Sequence, residues 1–168
     1  MFFRDYLTFP SHILLYSMKN ISILLLFISS FVFNQPLTAQ TKSPRINHIA
    51  FSVLDLKRST DFYTKVLHLD TIPEPFHDGR HTWFAIGDIS HLHLIQNPGP
   101  IITPSKNTHL CFTIASVDDF VEVLKKASVP YEDWSGKANS VTIRVDKVKQ
   151  VYFQDPDGYW IEINDAKD

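Results

Sequence analysis

The sequence holds a single cysteine, Cys111, in 168 residues. One thiol closes no intrachain disulfide and builds no cysteine-based zinc site. Excess positive charge is missing too: 16 basic residues stand against 18 acidic ones, for a formal net charge of -2. That balance leaves no basic excess to bind nucleic acid or an anionic membrane. A long hydrophobic run is also lacking. The longest, Ile21–Phe33 (ISILLLFISSFVF), has thirteen uncharged residues, whereas a spanning helix takes roughly 20.

That run fits the apolar centre of an export signal. Lys19 precedes it, and Leu37-Thr38-Ala39 offers a small residue for cleavage near Ala39/Gln40. Met18 is the more compact start for such a signal. Residues 1–40 are therefore expected to be a cleaved export signal, and the mature domain to be periplasmic or secreted with no stable membrane insertion. The alternative is an uncleaved anchor, which the short run disfavours. No cysteine ends the run to carry a lipid.

The remainder is of a size for one domain. Hydrophobic residues make up 44% of the chain and aromatics 13%, a composition that supports a packed core. Histidine is plentiful, and seven of the eight lie beyond residue 43.

An internal repeat organises this region. Asn47–Val53 (NHIAFSV) and Thr108–Ile114 (THLCFTI) align without a gap at an offset of 61. His48 matches His109, Phe51 matches Phe112, and Asp55 matches Ser116, both favourable helix N-caps. Each run alternates, so Ile49, Phe51 and Val53 share one strand face while His48, Ala50 and Ser52 share the other. Helical spacing follows over Leu56–Leu67 and Val117–Ala127. Shorter strand-like runs come next: 69–72, 82–86 and 92–95 in the first copy, and 129–134, 149–153 and 159–163 in the second. Asp155-Pro156-Asp157-Gly158 is a turn signal. The segment 141–145 is β-prone as well, without a definite place in the repeat. Each copy thus reads β-α-β-β-β, with module 1 at 45–98 and module 2 at 106–166.

The last strands match as well: Leu92-His93-Leu94 corresponds to Ile161-Glu162-Ile163. Two strand pairs then offer His48, His93, His109 and Glu162 as candidate ligands for one metal ion. Imidazoles with a carboxylate suit Zn, Ni, Fe, Co or Mn better than the all-oxygen cations. A lone histidine on a strand is usually structural, and it is the equivalence of His48 and His109 that raises them above that. Glu162, among apolar neighbours, is costly unless paired or metal-bound. His91 lies on the same face as His93, and the alignment selects His93. His77 and His81 flank a polar turn. His68 follows the first helix and suits its C-terminus. Cys111 matches Ala50 and reads as a small buried residue. Trp83, Tyr152 and Trp160 are candidate pocket or core aromatics.

The segments NHIAFSVLDLKRSTDFYTKVLHL and YFQDPDGYWIEIN resemble the vicinal-oxygen-chelate superfamily, also called the glyoxalase, bleomycin-resistance and dioxygenase group. The resemblance spans essentially all of 45–165. It implies an α+β fold of two tandem βαβββ modules, forming a curved mixed sheet around a metal-binding cleft. It also implies ligands from the first and last strand of each module, here His48, His93, His109 and Glu162. The expected activity is a glyoxalase-like lyase or isomerase on a small oxygenated substrate, in which Glu162 or a metal-bound hydroxide moves a proton. Many glyoxalase I enzymes carry glutamate where this chain has His93, which weakens a two-carboxylate shuttle. The alternatives are an extradiol-type ring-cleaving dioxygenase and a non-enzymatic small-molecule-binding protein. A homodimer is expected, its metal cupped by modules of one chain or of two.

Overall fold

A computed structural model describes residues 43–100, 102 and 105–167. The expected export segment lies outside them. Residues Arg45–Asp168 form one compact unit.

In module 1, β1 (His48–Val53) is followed by α1 (Leu56–Lys65), β2 (Thr71–Ile72), β3 (His81–Ile86) and β4 (Ser90–Gln96). In module 2, β5 (Leu110–Thr113) leads to α2 (Val117–Lys126), β6 (Tyr131–Glu132), β7 (Thr142–Ile143), β8 (Lys149–Gln154) and β9 (Trp160–Asn164). The repeat is therefore borne out as two βαβββ units. β7 is an addition in module 2, where the β-prone run at 141–145 pairs with β8.

The strands form two mixed sheets, in the orders β1-β4-β3-β2 and β5-β9-β8-β6, rather than one continuous sheet. In each sheet the first and last strands of the module are parallel neighbours. The register reproduces the sequence alignment. Ala50 pairs with His93, and its match Cys111 pairs with Glu162.

Local chemistry sets the helices. The Asp55 carboxylate accepts from the Arg58 amide at 3.0 Å, and the Ser116 hydroxyl accepts from the Asp119 amide at 3.1 Å. Each bond satisfies an amide the helix itself leaves open. In α2, Asp118 and Asp119 occupy the first turn and Lys125 and Lys126 the last, which suits the helix dipole. Left-handed residues, His68 at φ 55° and Ser128 at φ 55°, follow the two helices. His68 thus has a conformational role at a helix stop, as its position in the sequence indicates.

One face of each sheet is covered. Val53, Tyr63, Phe84, Leu92 and Leu94 are fully buried in module 1, as are Val117, Leu124, Val151, Ile161 and Ile163 in module 2. Each such side chain contributes roughly 1.5–3 kcal/mol on leaving water. On the other face, His48, Ala50, Cys111 and Thr113 are exposed.

The two modules meet at a polar seam. Asp155-Pro156-Asp157-Gly158 turns with Gly158 at φ 90°. Its two carboxylates reach back to module 1. The Asp157 side chain is fully buried and accepts from Ser59 Oγ at 2.5 Å and from the Leu54 amide at 2.9 Å. Arg58 lies 3.4 Å from the same carboxylate. Tyr63 donates its hydroxyl to Asp155 at 2.8 Å. Burial raises the Asp155 pKa, against the hydrogen bonds from Tyr63, Tyr159 and Asp157 that lower it. Phe51 stacks on Tyr159 across the seam, with centroids 4.2 Å apart.

The Ser59–Asp157 bond of this seam is fully buried, so its loss should be measurable. Ser59→Ala leaves a buried carboxylate oxygen short of one donor, an expected loss of about 1–3 kcal/mol. Urea denaturation read by circular dichroism measures it, and an unchanged midpoint would show that water replaces the hydroxyl.

Candidate metal centre

The parallel pairing of first and last strands places the candidate ligands in two pairs. In module 2, His109 stands just before β5 and Glu162 lies in β9. His109 Nε2 is 3.0 Å from Glu162 Oε2. His109 Nδ1 is 2.8 Å from the Lys106 carbonyl. A carbonyl only accepts, so Nδ1 carries the proton and Nε2 is the atom turned toward the carboxylate. Two lone pairs at that distance require a cation: a proton on the bare pair, or a metal ion. The 3.0 Å separation is that of an ordinary ion pair; around a tetrahedral ion, ligand atoms each about 2.1 Å from the metal stand roughly 3.4 Å apart, so the pair would part by a few tenths of an ångström to admit one.

Glu162 is prepared by its neighbours. Tyr152 donates its hydroxyl to Oε2 at 2.6 Å, and Asn164 Nδ2 donates to Oε1 at 2.9 Å. Gln150 Nε2 in turn donates to the Tyr152 oxygen at 2.5 Å. Burial pushes the Glu162 pKa up, but the bonds from Tyr152, Asn164 and Cys111 and the nearby His109 outweigh it and hold the group below its ordinary value. Burial and the Glu162 carboxylate push the Tyr152 phenol well up, so it remains a neutral donor. Cys111 is exposed as a residue, yet its sulfur lies 3.2 Å from Asn164 Nδ2. Burial and Glu162 push this thiol up to about 12, so it is no thiolate at neutral pH.

In module 1, His48 and His93 stack face to face, with centroids 4.4 Å apart and planes at 8°. Trp83 covers the other face of His93 at 3.9 Å and 4°. His93 is 8% exposed, and its Nε2 has no hydrogen-bond partner. Burial, then His48, His91 and His81, lowers its pKa, which keeps the neutral form a metal needs. His48 Nδ1 engages Asn47 Oδ1 at 2.8 Å, leaving Nε2 free. The rings are parallel, so a metal in the plane of one is out of the plane of the other. As they stand, the two imidazoles do not aim at one point.

The other histidines separate as the sequence suggests. His91 pairs with His48 in the register and corresponds to Trp160, not to Glu162. His77 lies in a polar turn and His81 begins β3, with His81 Nδ1 2.9 Å from Asp78.

Among the described residues, no group of three or more His, Cys, Asp or Glu side chains is arranged to hold a metal. The four candidates are brought together two by two, each pair on the open face of its own sheet. Sequence reasoning did not single out Gln150, Asn164 or Lys106. Asn164 was accessible to it, since alternation along β9 puts residue 164 on the face of Glu162. Lys106 had no such signal, because its contacts come from the end of β6 and the two residues after it, distant in sequence.

The family model for the Glyoxalase/Bleomycin resistance protein/Dioxygenase superfamily matches residues 45–163. The metallothiol transferase FosB of Staphylococcus epidermidis is 33% identical over 129 residues, covering 71% of this chain and 80% of that protein. The lactoylglutathione lyase of Pseudomonas putida is 25% identical over 163 residues, covering 76% and 87%. Among solved structures, the fosfomycin resistance protein FosX of Listeria monocytogenes aligns with a TM-score of 0.61 at 20% identity, covering 75% of this chain and 96% of that one. Its identity is low enough that it speaks for the fold alone. Members of this superfamily generally use divalent metal ions and act on or bind small molecules. With a family model matched across both modules and a repeat whose strand register follows it, the chain belongs to the glyoxalase, bleomycin-resistance and dioxygenase superfamily.

Proposed function

We propose that this protein is a metal-dependent lyase or isomerase of glyoxalase type, acting on a small oxygenated substrate at a centre completed by two copies of the chain. His48 and His93 of one copy would hold the metal with His109 and Glu162 of the other. The observation that carries this reading is the His109–Glu162 pair, an imidazole nitrogen and an ionised carboxylate held 3.0 Å apart.

Three further features support it. His48 is exposed and His109 partly exposed, so each pair has one member that a second copy can reach. The seam between the modules ties the two half-sites into one compact unit. The unpartnered, buried Nε2 of His93 costs about 1–3 kcal/mol, a cost that a metal bond after ring rotation would remove. When bound, the metal supplies Lewis-acid stabilisation of an oxyanion on the substrate.

The protein's own residues do the rest. Tyr152 and Asn164 keep Glu162 ionised, so it serves as a ligand at neutral pH. The same bonds make it a reluctant base, and proton transfer at this carboxylate requires them to loosen. The Lys106 carbonyl keeps the His109 proton on Nδ1. Trp83 and His48 wall His93 on both faces and exclude water from it.

A second reading is addition of a thiol to a small electrophile. Two observations favour it: the 33% identity to a metallothiol transferase, and a single carboxylate among the four ligand positions. The two readings separate by assay of the metal-loaded protein. One assay follows isomerisation of an α-oxoaldehyde–thiol adduct, and the other follows thiol-dependent consumption of fosfomycin.

Shared sites have a signature in mixing. His48→Ala and Glu162→Ala proteins should each lose stoichiometric metal by elemental analysis. Unfolded together and refolded as an equal mixture, they should recover about a quarter of the wild-type metal content, because half the dimers are mixed and each mixed dimer keeps one intact site of two. No recovery would sink the two-chain centre. Full metal retention in both single variants would sink the ligand set.

Tyr152→Phe tests the preparation of Glu162. Removing the phenol hydroxyl takes away a donor to the carboxylate, which raises the Glu162 pKa. Protons then compete with metal at higher pH, so the pH of half-release on acidification should move upward. A titration read by a weakly binding metal-sensitive dye measures it, and a midpoint that stays or falls would show that the phenol does not tune the ligand.

A further inference from the structure

We propose that Lys106 is the positioning residue of His109, acting through its backbone while its side chain bolts the turn before β5 to the rest of module 2. The inference rests on the metal reading for its consequence but not for its geometry. Lys106 lies in the turn Ser105–Thr108, closed by the Thr108 amide donating to the Ser105 carbonyl at 2.8 Å. That bond is internal to the turn and ties it to nothing else. The Lys106 carbonyl is the acceptor for His109 Nδ1 at 2.8 Å. Whatever fixes this carbonyl therefore fixes the ring orientation and the proton position of His109.

The side chain supplies the fixing. A lysine ammonium has three donors and no acceptor. Here all three directions are used: the Glu132 carboxylate, the Asp133 carbonyl at 3.1 Å and the Trp134 carbonyl at 3.1 Å. The ammonium also sits over three rings, with centroids at 5.9 Å for Trp134, 5.6 Å for Tyr152 and 5.1 Å for Trp160. Two of these rings stand beside Glu162: Tyr152, on β8, bonds its carboxylate, and Trp160 begins β9, the strand of Glu162. The lysine therefore references the turn before β5 to β9, which carries the other ligand of the pair, and to β8 beside it. It is only 18% exposed and has no donor to spare, so it is a bolt and not an anion-binding cation. Ligating histidines depend on the acceptor at their second nitrogen, and losing such an acceptor typically costs 10–100-fold in metal affinity.

The test uses Lys106→Met, which keeps the apolar stem and removes the three donors, beside Glu132→Gln, which keeps the shape of the acceptor and removes its charge. Two readouts are taken on the full chain. The first is exchange protection of the His109 Nδ1–H proton by nuclear magnetic resonance in metal-free protein. The second is zinc affinity by chelator competition. In Lys106→Met the protected ring proton should be lost and zinc affinity should fall about 10–100-fold, with far-ultraviolet circular dichroism unchanged. Glu132→Gln should shift both readouts in the same direction by less. A folded Lys106→Met protein with a protected proton and zinc affinity within about twofold of wild type overturns the inference. If that variant does not fold, unchanged readouts in Glu132→Gln overturn it instead. Wild-type protein that binds no zinc refutes the metal reading alone, and the ring proton still decides the role of Lys106.

Discussion

The candidate centre depends on one backbone constraint: within each module the first and last strands lie side by side and parallel. Parallel neighbours cannot be joined by a tight turn. The chain must leave β1, cross through α1, and return through β2 and β3 before β4 can take its place. That path puts residues some 45 positions apart in the sequence, such as His48 and His93, into ring contact. The same path in module 2 sets His109 against Glu162. Each helix then covers the face opposite the ligands. The open face, its polar residues and the paired ligands all follow from the crossover.

The two half-sites are built by different chemistry. Module 2 holds its carboxylate and imidazole in a hydrogen-bonded chain running from Gln150 through Tyr152 and Glu162 to Asn164. Every oxygen of Glu162 is engaged, and the group stays ionised. Module 1 has no such chain. Its imidazoles are held by ring stacking between His48 and Trp83, and the buried Nε2 of His93 is left without a partner. One half is electrostatically prepared and the other is sterically packed. A repeat that began symmetric has become a donor-satisfied side and a donor-hungry side.

Much of this was legible in the sequence. The gapless match of NHIAFSV to THLCFTI gave the register, because strand alternation turns one aligned histidine into an aligned face. The choice of His93 over His91 followed from the same logic and agrees with the strand pairing. Less legible was everything that depends on side chains meeting across loops. No periodicity connects Lys106 to Glu132, or Ser59 to Asp157. Nor does alternation tell whether two ligand pairs close on each other within one chain. That question turns on how two sheets are oriented, which short-range patterning does not encode. The extra strand β7 has the same status: a β-prone run becomes a strand only when β8 offers it an edge.

The seam carries a consequence for the history of the gene. Ser59 and Tyr63 of α1 hold the Asp155 and Asp157 carboxylates, but their counterparts at the repeat offset, Phe120 and Leu124 of α2, are apolar. The corresponding turn of module 1, around Gly87 and Asp88, has only one carboxylate to offer. The duplicated halves have therefore ceased to be interchangeable. A recombinant carrying two copies of the first half would have helix hydroxyls with too few carboxylates to meet, and one carrying two copies of the second would have buried carboxylates facing hydrocarbon. Unequal crossing-over between the two halves, the event that creates such repeats, would now be selected against at the level of folding, before any question of catalysis arises.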